Sequence, residues 1–245
     1  MLGKLLRHEF KALLRFIPVL YLALLGLAVA AGVSGRTTGN WGPNGHTLNL
    51  LKQSPIILYS ILLFGQFVVN LGIVIQRFRD NFLKDEGYLM FTLPVPEWKL
   101  AASKAIAALC VFLLTGAAAV LSLLICGFIG DSGNMQEALS VLWVRLSATG
   151  PDRVIFGIAT VLVGIFQQLC LIYASMTASQ LVPRFRGLVG FGVYAVVMFV
   201  VEEPITRAVF SLNNSPVVIF FLEAAFAALY LWCVSWLLKH TFNLE

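Results

Sequence analysis

Six stretches of this chain are long, apolar and almost free of charge: residues 16–33, 56–76, 105–129, 154–176, 187–201 and 216–238. A helix needs roughly 20 residues to cross a hydrocarbon core of ~30 Å, and lipid supplies no hydrogen-bond partner for the backbone. The stretches lack the apolar–polar alternation of barrel strands, so helices are expected. Water is excluded as the solvent of the fold. Of the 245 residues, 59% are hydrophobic and 12% charged, whereas an average soluble domain carries about 25% charged residues. The spans use up the chain and leave no room for a sizeable soluble domain. The expected fold class is all-α integral membrane, with six transmembrane helices in a single domain over 1–245.

Lysine and arginine set the orientation. With the N-terminus in the cytoplasm, 12 of the 17 basic residues lie inside: Lys4, Arg7, Lys11, Arg15, Arg77, Arg79, Lys84, Lys99, Lys104, Arg184, Arg186 and Lys239. The other 5, Arg36, Lys52, Arg145, Arg153 and Arg207, lie outside. Both termini are therefore expected in the cytoplasm. The net charge of +5 is a topology signal and does not point to nucleic acid. Cys110, Cys126, Cys170 and Cys233 all fall within spans, where they read as small buried hydrophobes with no disulfide framework. The first span has a basic flank and a loose Ala28–Ala30 cleavage pattern. Its 18-residue apolar run exceeds the usual signal-peptide core of about 7–15 residues, so it reads as a retained span.

Three segments between or before the spans carry further information. In residues 1–15, Leu2, Leu5, Leu6, Phe10, Leu13 and Leu14 recur at helical spacing opposite Lys4, Arg7, His8, Lys11 and Arg15. Such a stripe predicts an amphipathic helix lying in the headgroup region. Between the third and fourth spans, Leu139, Leu142, Trp143 and Leu146 suggest a short amphipathic helix at the outer interface. The cytoplasmic loop 77–104 holds an apolar patch of Tyr88, Leu89, Met90, Phe91 and Leu93 before Pro94 and Pro96. An exposed patch of this kind marks a protein or membrane contact, and docking of a cytoplasmic partner is expected.

The fifth stretch is short. Its 15 residues rise about 22 Å, and Glu202, Glu203 and Pro204 follow it. This pattern predicts a short span and then an outer re-entrant segment over 202–215, which protein or a water-filled cavity must cover. Gly187 and Gly190 permit close helix approach, and Gly26 and Ala30 of the first span form a small-xxx-small pair. These four are the candidates for close packing between helices.

No catalytic constellation is present. His8, His46 and His240 are dispersed, and the chain contains neither H-E-x-x-H, G-x-S-x-G nor G-x-x-x-x-G-K-[ST]. No metal site and no enzyme activity are expected on this chain. The candidates for a substrate pathway are polar residues inside the spans: Gln66 and Asn70, Gln167 and Gln168, and Glu223. Intramembrane amides usually hydrogen-bond between helices, at about 0.6 kcal/mol each. An acid at the depth of Glu223 should face a cavity or a partner.

The run Asp85, Glu86, Gly87, Tyr88, Leu89, Met90, Phe91, Thr92, Leu93, Pro94, Val95 resembles the D-E-G-Y-L-x-F-T-L-P-V stretch of a bacterial subgroup of ABC-2-type permeases. The layout, with a basic N-terminal helix, six spans, a large loop after span two and a broken segment between spans five and six, is similar to that family's type V architecture. The resemblance implies an elbow helix over 1–15 and a coupling helix in or beside 85–95. Asp85, Glu86, Gly87, Tyr88, Leu89, Phe91, Leu93 and Pro94 would then contact a separate cytoplasmic ATPase subunit, with a smaller contact over 177–186. It further implies a second permease chain, identical or paralogous, for which Gly26, Ala30, Gly187 and Gly190 would be the packing residues. Spans one, two and five would line or seal the route between the chains, in the bacterial cytoplasmic membrane. ATP and Mg would sit on the partner subunit and no cofactor on this one. An amphipathic or hydrophobic substrate (a peptide, drug or lipid) fits the apolar interior. The competing readings are a membrane-embedded enzyme, an ion-coupled carrier and a peptide-binding scaffold or immunity protein. A carrier calls for paired intramembrane charges, and Glu223 stands alone in the sequence.

Overall fold

The computed structural model describes residues 17–37, 46–82, 97–182, 185–212 and 215–241. The described elements are α1 (Ile17–Thr37), α2 (His46–Phe82), α3 (Glu97–Gly130), α4 (Ser132–Thr149) and α5 (Pro151–Ala178), which runs into a 3-10 turn (Ser179–Leu181). They continue with α6 (Arg186–Val196), a π-turn (Val197–Glu202), α7 (Glu203–Leu212) and α8 (Pro216–Thr241), and no strand occurs among them. Six helical segments are long and apolar enough to cross a membrane: Pro18–Arg36, Ser54–Arg79, Ala101–Gly130, Pro151–Leu181, Arg186–Leu212 and Pro216–Lys239. The chain is an all-α, multi-pass membrane protein. The amphipathic stripe of 1–15 and the motif of 85–95 lie outside the described residues.

The fifth span differs from its expected form. The break predicted after Val201 does not occur, and the backbone stays helical from Arg186 to Leu212, 27 residues, about 40 Å at 1.5 Å per residue. Pro204 has no N–H to give to an i−4 carbonyl. The ladder widens just before it, and Glu203 N–H bonds the Met198 carbonyl five residues back. A π-turn of this kind absorbs one extra residue without ending the helix. The segment expected to dip back is thus the continuation of the span, and Glu202 lies within the helix.

The described chain groups into two compact units, and α2 and α3 contribute residues to both. One unit contains the described residues of Phe10–Ile73 and Cys110–Thr149. Its core is Leu24, Ala28, Ala31 and Tyr59, with Leu27, Leu62, Leu63, Ile125 and Cys126 packed against it. Close approach of α1 to α3 depends on glycine. A Cβ on Gly32 would stand 2.8 Å from Ile129 Cβ and 2.9 Å from the Cys126 carbonyl oxygen. Along α2 the buried residues Tyr59, Gln66 and Asn70 share one face, and along α3 Val111, Thr115, Ala119 and Ser122 share another. Both stripes follow the helical period. Helix α4 has no buried residue. Its Asp131 cap accepts the Gly133 and Asn134 backbone N–H groups at 3.1 and 3.3 Å, satisfying donors that a helix start leaves open.

The second unit contains the described residues of Val74–Leu109 and Gly150–Glu245, built on α5 packed against α8. Buried positions Ala227, Tyr230, Val234 and Leu238 form a single stripe on α8. On α5, burial is concentrated from Gln167 to Thr177, where Tyr173 stacks on Phe78 with centroids 4.1 Å apart. Helix α6 packs on the end of α5, and a Cβ on Gly190 would stand 3.4 Å from Ser179 Cβ.

Candidate functional site

A polar cluster among the described residues of the spans surrounds Glu202. This residue closes the π-turn and is 5% exposed. Gln168 Nε2 donates to Glu202 Oε2 at 3.1 Å and the Tyr230 hydroxyl donates to Oε1 at 2.5 Å. Tyr194 in turn donates to Gln168 Oε1 at 3.1 Å. This contact set fixes the Gln168 amide, since a reversed amide would set Oε1 against a carboxylate oxygen. Helices α5, α6 and α8 thus each supply one side chain to a chain of hydrogen bonds ending on Glu202. A carboxylate at this depth is expensive in lipid, and two donors offset part of that cost.

Glu223 joins the same face of α5. A Cβ on Gly164 would stand 3.2 and 3.3 Å from the two Glu223 carboxylate oxygens, so the bare glycine admits the acid to the helix backbone. Gly164 and Gln168 are one turn apart on α5, about 6 Å, and each meets one carboxyl group. Glu223 Oε2 is buried and meets no hydrogen-bond partner. Arg207 and Glu203 form an exposed i,i+4 ion pair on α7, outside this cluster. Gln167 is buried on the adjacent face of α5.

A second polar cluster lies in the other unit. Asn70 Nδ2 donates to Thr115 Oγ1 at 2.7 Å, and Thr115 Oγ1 donates to the Val111 carbonyl at 2.8 Å. Tyr21 approaches the same Oγ1 at 2.7 Å. Either hydroxyl can supply the hydrogen of that contact. Tyr59 and Ser122 share a hydroxyl–hydroxyl hydrogen bond at 2.9 Å, and Ser122 Oγ also lies 2.8 Å from the Ala119 carbonyl oxygen. Gln66 shares the buried face of α2 with Asn70 and is 0% exposed.

The remaining expected residues are placed as follows. Gly26 and Ala30 are exposed, and a Cβ on Gly26 meets nothing within 4 Å. The small-xxx-small pair that packs within the chain is Ala28 and Gly32, two residues further on and about 200° round the helix. Gly187 is exposed, whereas Gly190 is buried against α5 of its own chain. Of the expected smaller contact, Leu181, Val182 and Phe185 are exposed, and Phe185 holds a left-handed φ of 61°. Asp85, Glu86, Gly87, Tyr88, Leu89, Phe91, Leu93 and Pro94 lie outside the described residues. Among the described residues no group of three His, Cys, Asp or Glu side chains converges as a metal site would require. Glu202 is not legible as a site residue in the sequence, because the 15-residue apolar run 187–201 ends just before it. Tyr194, Tyr230 and Gly164 carry no sequence signal that separates them from ordinary span residues. No family model, curated protein or solved structure matches this chain.

Proposed function

We propose that this chain is the transmembrane subunit of an ATP-driven exporter of the ABC-2 type, lying N-in and C-in in a bacterial cytoplasmic membrane. The observation that carries this reading is the run from Asp85 to Val95 in the loop that follows the second span. Its patch of Tyr88, Leu89, Met90, Phe91 and Leu93 has the composition of a docking surface for a cytoplasmic subunit. Six membrane-crossing helices agree with the layout of such a permease. The ATPase chemistry belongs to the partner, and closure of two ATPase subunits would be passed through the loop to a pair of permease chains. An amphipathic or hydrophobic peptide, drug or lipid is the substrate class.

Purification of the tagged chain in a gentle detergent, with mass spectrometry and an ATPase assay of the eluate, tests this. A co-purifying soluble subunit with a phosphate loop and ATPase activity is the expected outcome. Tyr88→Asp with Leu89→Asp should release that subunit and leave the permease in the membrane. A chain that elutes alone, without ATPase, overturns the proposal.

One observation favours a second reading, an ion-coupled carrier. Glu223 is not the only acid within the spans, because Glu202 is buried against the same face of α5. Paired intramembrane carboxyl groups are the usual equipment of such carriers. Substrate uptake into ATP-free proteoliposomes, driven by an ion gradient and lost in Glu202→Gln, would select this reading over the exporter.

A further inference from the structure

Three buried polar atoms in the unit of α1, α2 and the C-terminal half of α3 meet no hydrogen-bond partner on the chain: Gln66 Nε2, Gln66 Oε1 and Asn70 Oδ1. Both side chains are at least 99% buried. Gln66 and Asn70 are one turn apart on one face of α2, where side chains of i and i+4 residues meet. Native interiors leave few such atoms unmatched, and an unmatched one in lipid is costly.

The hydrogen bonds already present constrain what can satisfy them. Asn70 Nδ2 donates to Thr115 Oγ1 at 2.7 Å, which leaves Oδ1 as the open end of the amide. Asn70 Oδ1 therefore needs a donor. Gln66 Oε1 needs another, and Gln66 Nε2 needs an acceptor. One small molecule that gives two hydrogens and accepts one meets all three needs, and that is the pattern of buried water, which typically makes about three hydrogen bonds.

We propose that Gln66 and Asn70 form a binding site for an internal water molecule at mid-membrane, the inner end of a polar seam continued by Thr115 and Tyr21. The water donates to Asn70 Oδ1 and Gln66 Oε1 and accepts from Gln66 Nε2. The site stands whether or not the chain is an exporter, because it uses only the chain's own packing.

Two measurements on the full-length chain in lipid nanodiscs decide it. The first is hydroxyl-radical footprinting in H2(18)O, read by mass spectrometry. Leu63, half-buried one turn before Gln66 on the same face, should take up the isotope. Leu24, fully buried in the apolar core of the same unit, should not. Gln66→Met should abolish the Leu63 signal. The second is a thermal-unfolding cycle of Gln66→Met, Asn70→Leu and the double variant. A shared bridge makes their melting shifts non-additive by more than about 2 °C. Loss of the Asn70–Thr115 bond occurs in both Asn70 variants and cancels in the cycle. Additive shifts overturn the proposal. Non-additive shifts with Leu63 unlabelled mean that the two amides pair directly, which overturns it as well. If the double variant does not fold, labelling of Leu63 in the unaltered chain and its loss in Gln66→Met decide alone, and an unlabelled Leu63 rejects the site.

Discussion

At the scale of single residues, the donors around Glu202 are the most exposed to test. Tyr230→Phe and Gln168→Leu each remove one donor from a buried carboxyl group. Leaving a buried polar group short of a partner costs about 1–3 kcal/mol, so each variant should unfold at lower temperature than the parent in detergent. Tyr194→Phe, which removes a donor from Gln168 and not from the acid, should cost less than either. Equal shifts for all three would remove Glu202 from the centre of the network. Gly164 allows a sharper comparison. Gly164→Ala sets a methyl 3.2 Å from a Glu223 oxygen, whereas a Cβ on Gly157 of the same helix meets nothing within 4 Å. Helix propensity alone favours alanine by about 1 kcal/mol at both sites. Gly157→Ala should therefore stabilise, Gly164→Ala should not, and Glu223→Ala should restore the gain at Gly164. Parallel melting curves of Gly157→Ala, Gly164→Ala, Glu223→Ala and the Gly164→Ala/Glu223→Ala double variant check this.

Among the elements, the π-turn bears on where Glu202 lies. It holds one more residue than an α-helix would in the same rise. Deleting Val200, which is exposed, should convert the turn to regular helix of the same rise and leave the residues on either side in register. Glu202 should then keep Gln168 and Tyr230, so the deletion should lower the melting temperature less than Glu202→Ala does. A loss as large as that of Glu202→Ala would mean that the turn itself places the carboxyl group. The small-residue faces of α1 can be separated in the same way. Gly32→Ala should disrupt the fold of the α1–α3 contact, because the nearest atoms include the Cys126 backbone carbonyl. Gly26→Leu should leave the monomer folded and weaken only the pairing of two chains, if that face is where they meet. Crosslinking before and after the change reads the second effect.

For the molecule as a whole, the topology is open to direct labelling. In a chain stripped of its four cysteines, a cysteine at Ser140 of α4 should react with a membrane-impermeant maleimide from outside intact cells. One at Arg79 should react only after permeabilisation. The reverse pattern would invert the orientation that the basic residues predict. Helix α4 belongs to the same question. Its linkers to the flanking helices are the single residues Asp131 and Gly150, and it exposes Leu142, Trp143 and Leu146. Its helical character was legible in the spacing of Leu139, Leu142, Trp143 and Leu146.

The number of membrane-crossing helices, their approximate positions and the all-α class follow from the sequence alone. Lipid offers the backbone no partner, so a long apolar run has to satisfy its hydrogen bonds within itself, and that is a local property. The same holds for the polar residues as an inventory: Gln66, Asn70, Gln168 and Glu223 stand out in apolar runs whatever their neighbours are. Which of them meet is not local. It depends on the rotation of each helix about its axis, and a shift of two residues turns a packing pair such as Ala28 and Gly32 into an outward pair such as Gly26 and Ala30. It depends also on the π-turn, which keeps the fifth span helical past Pro204 and carries Glu202 inside. Only the packing of α5, α6 and α8 brought that acid to Gln168 and Tyr230, because a hydrogen bond needs its atoms within about 3 Å and spacing along the chain does not encode that distance.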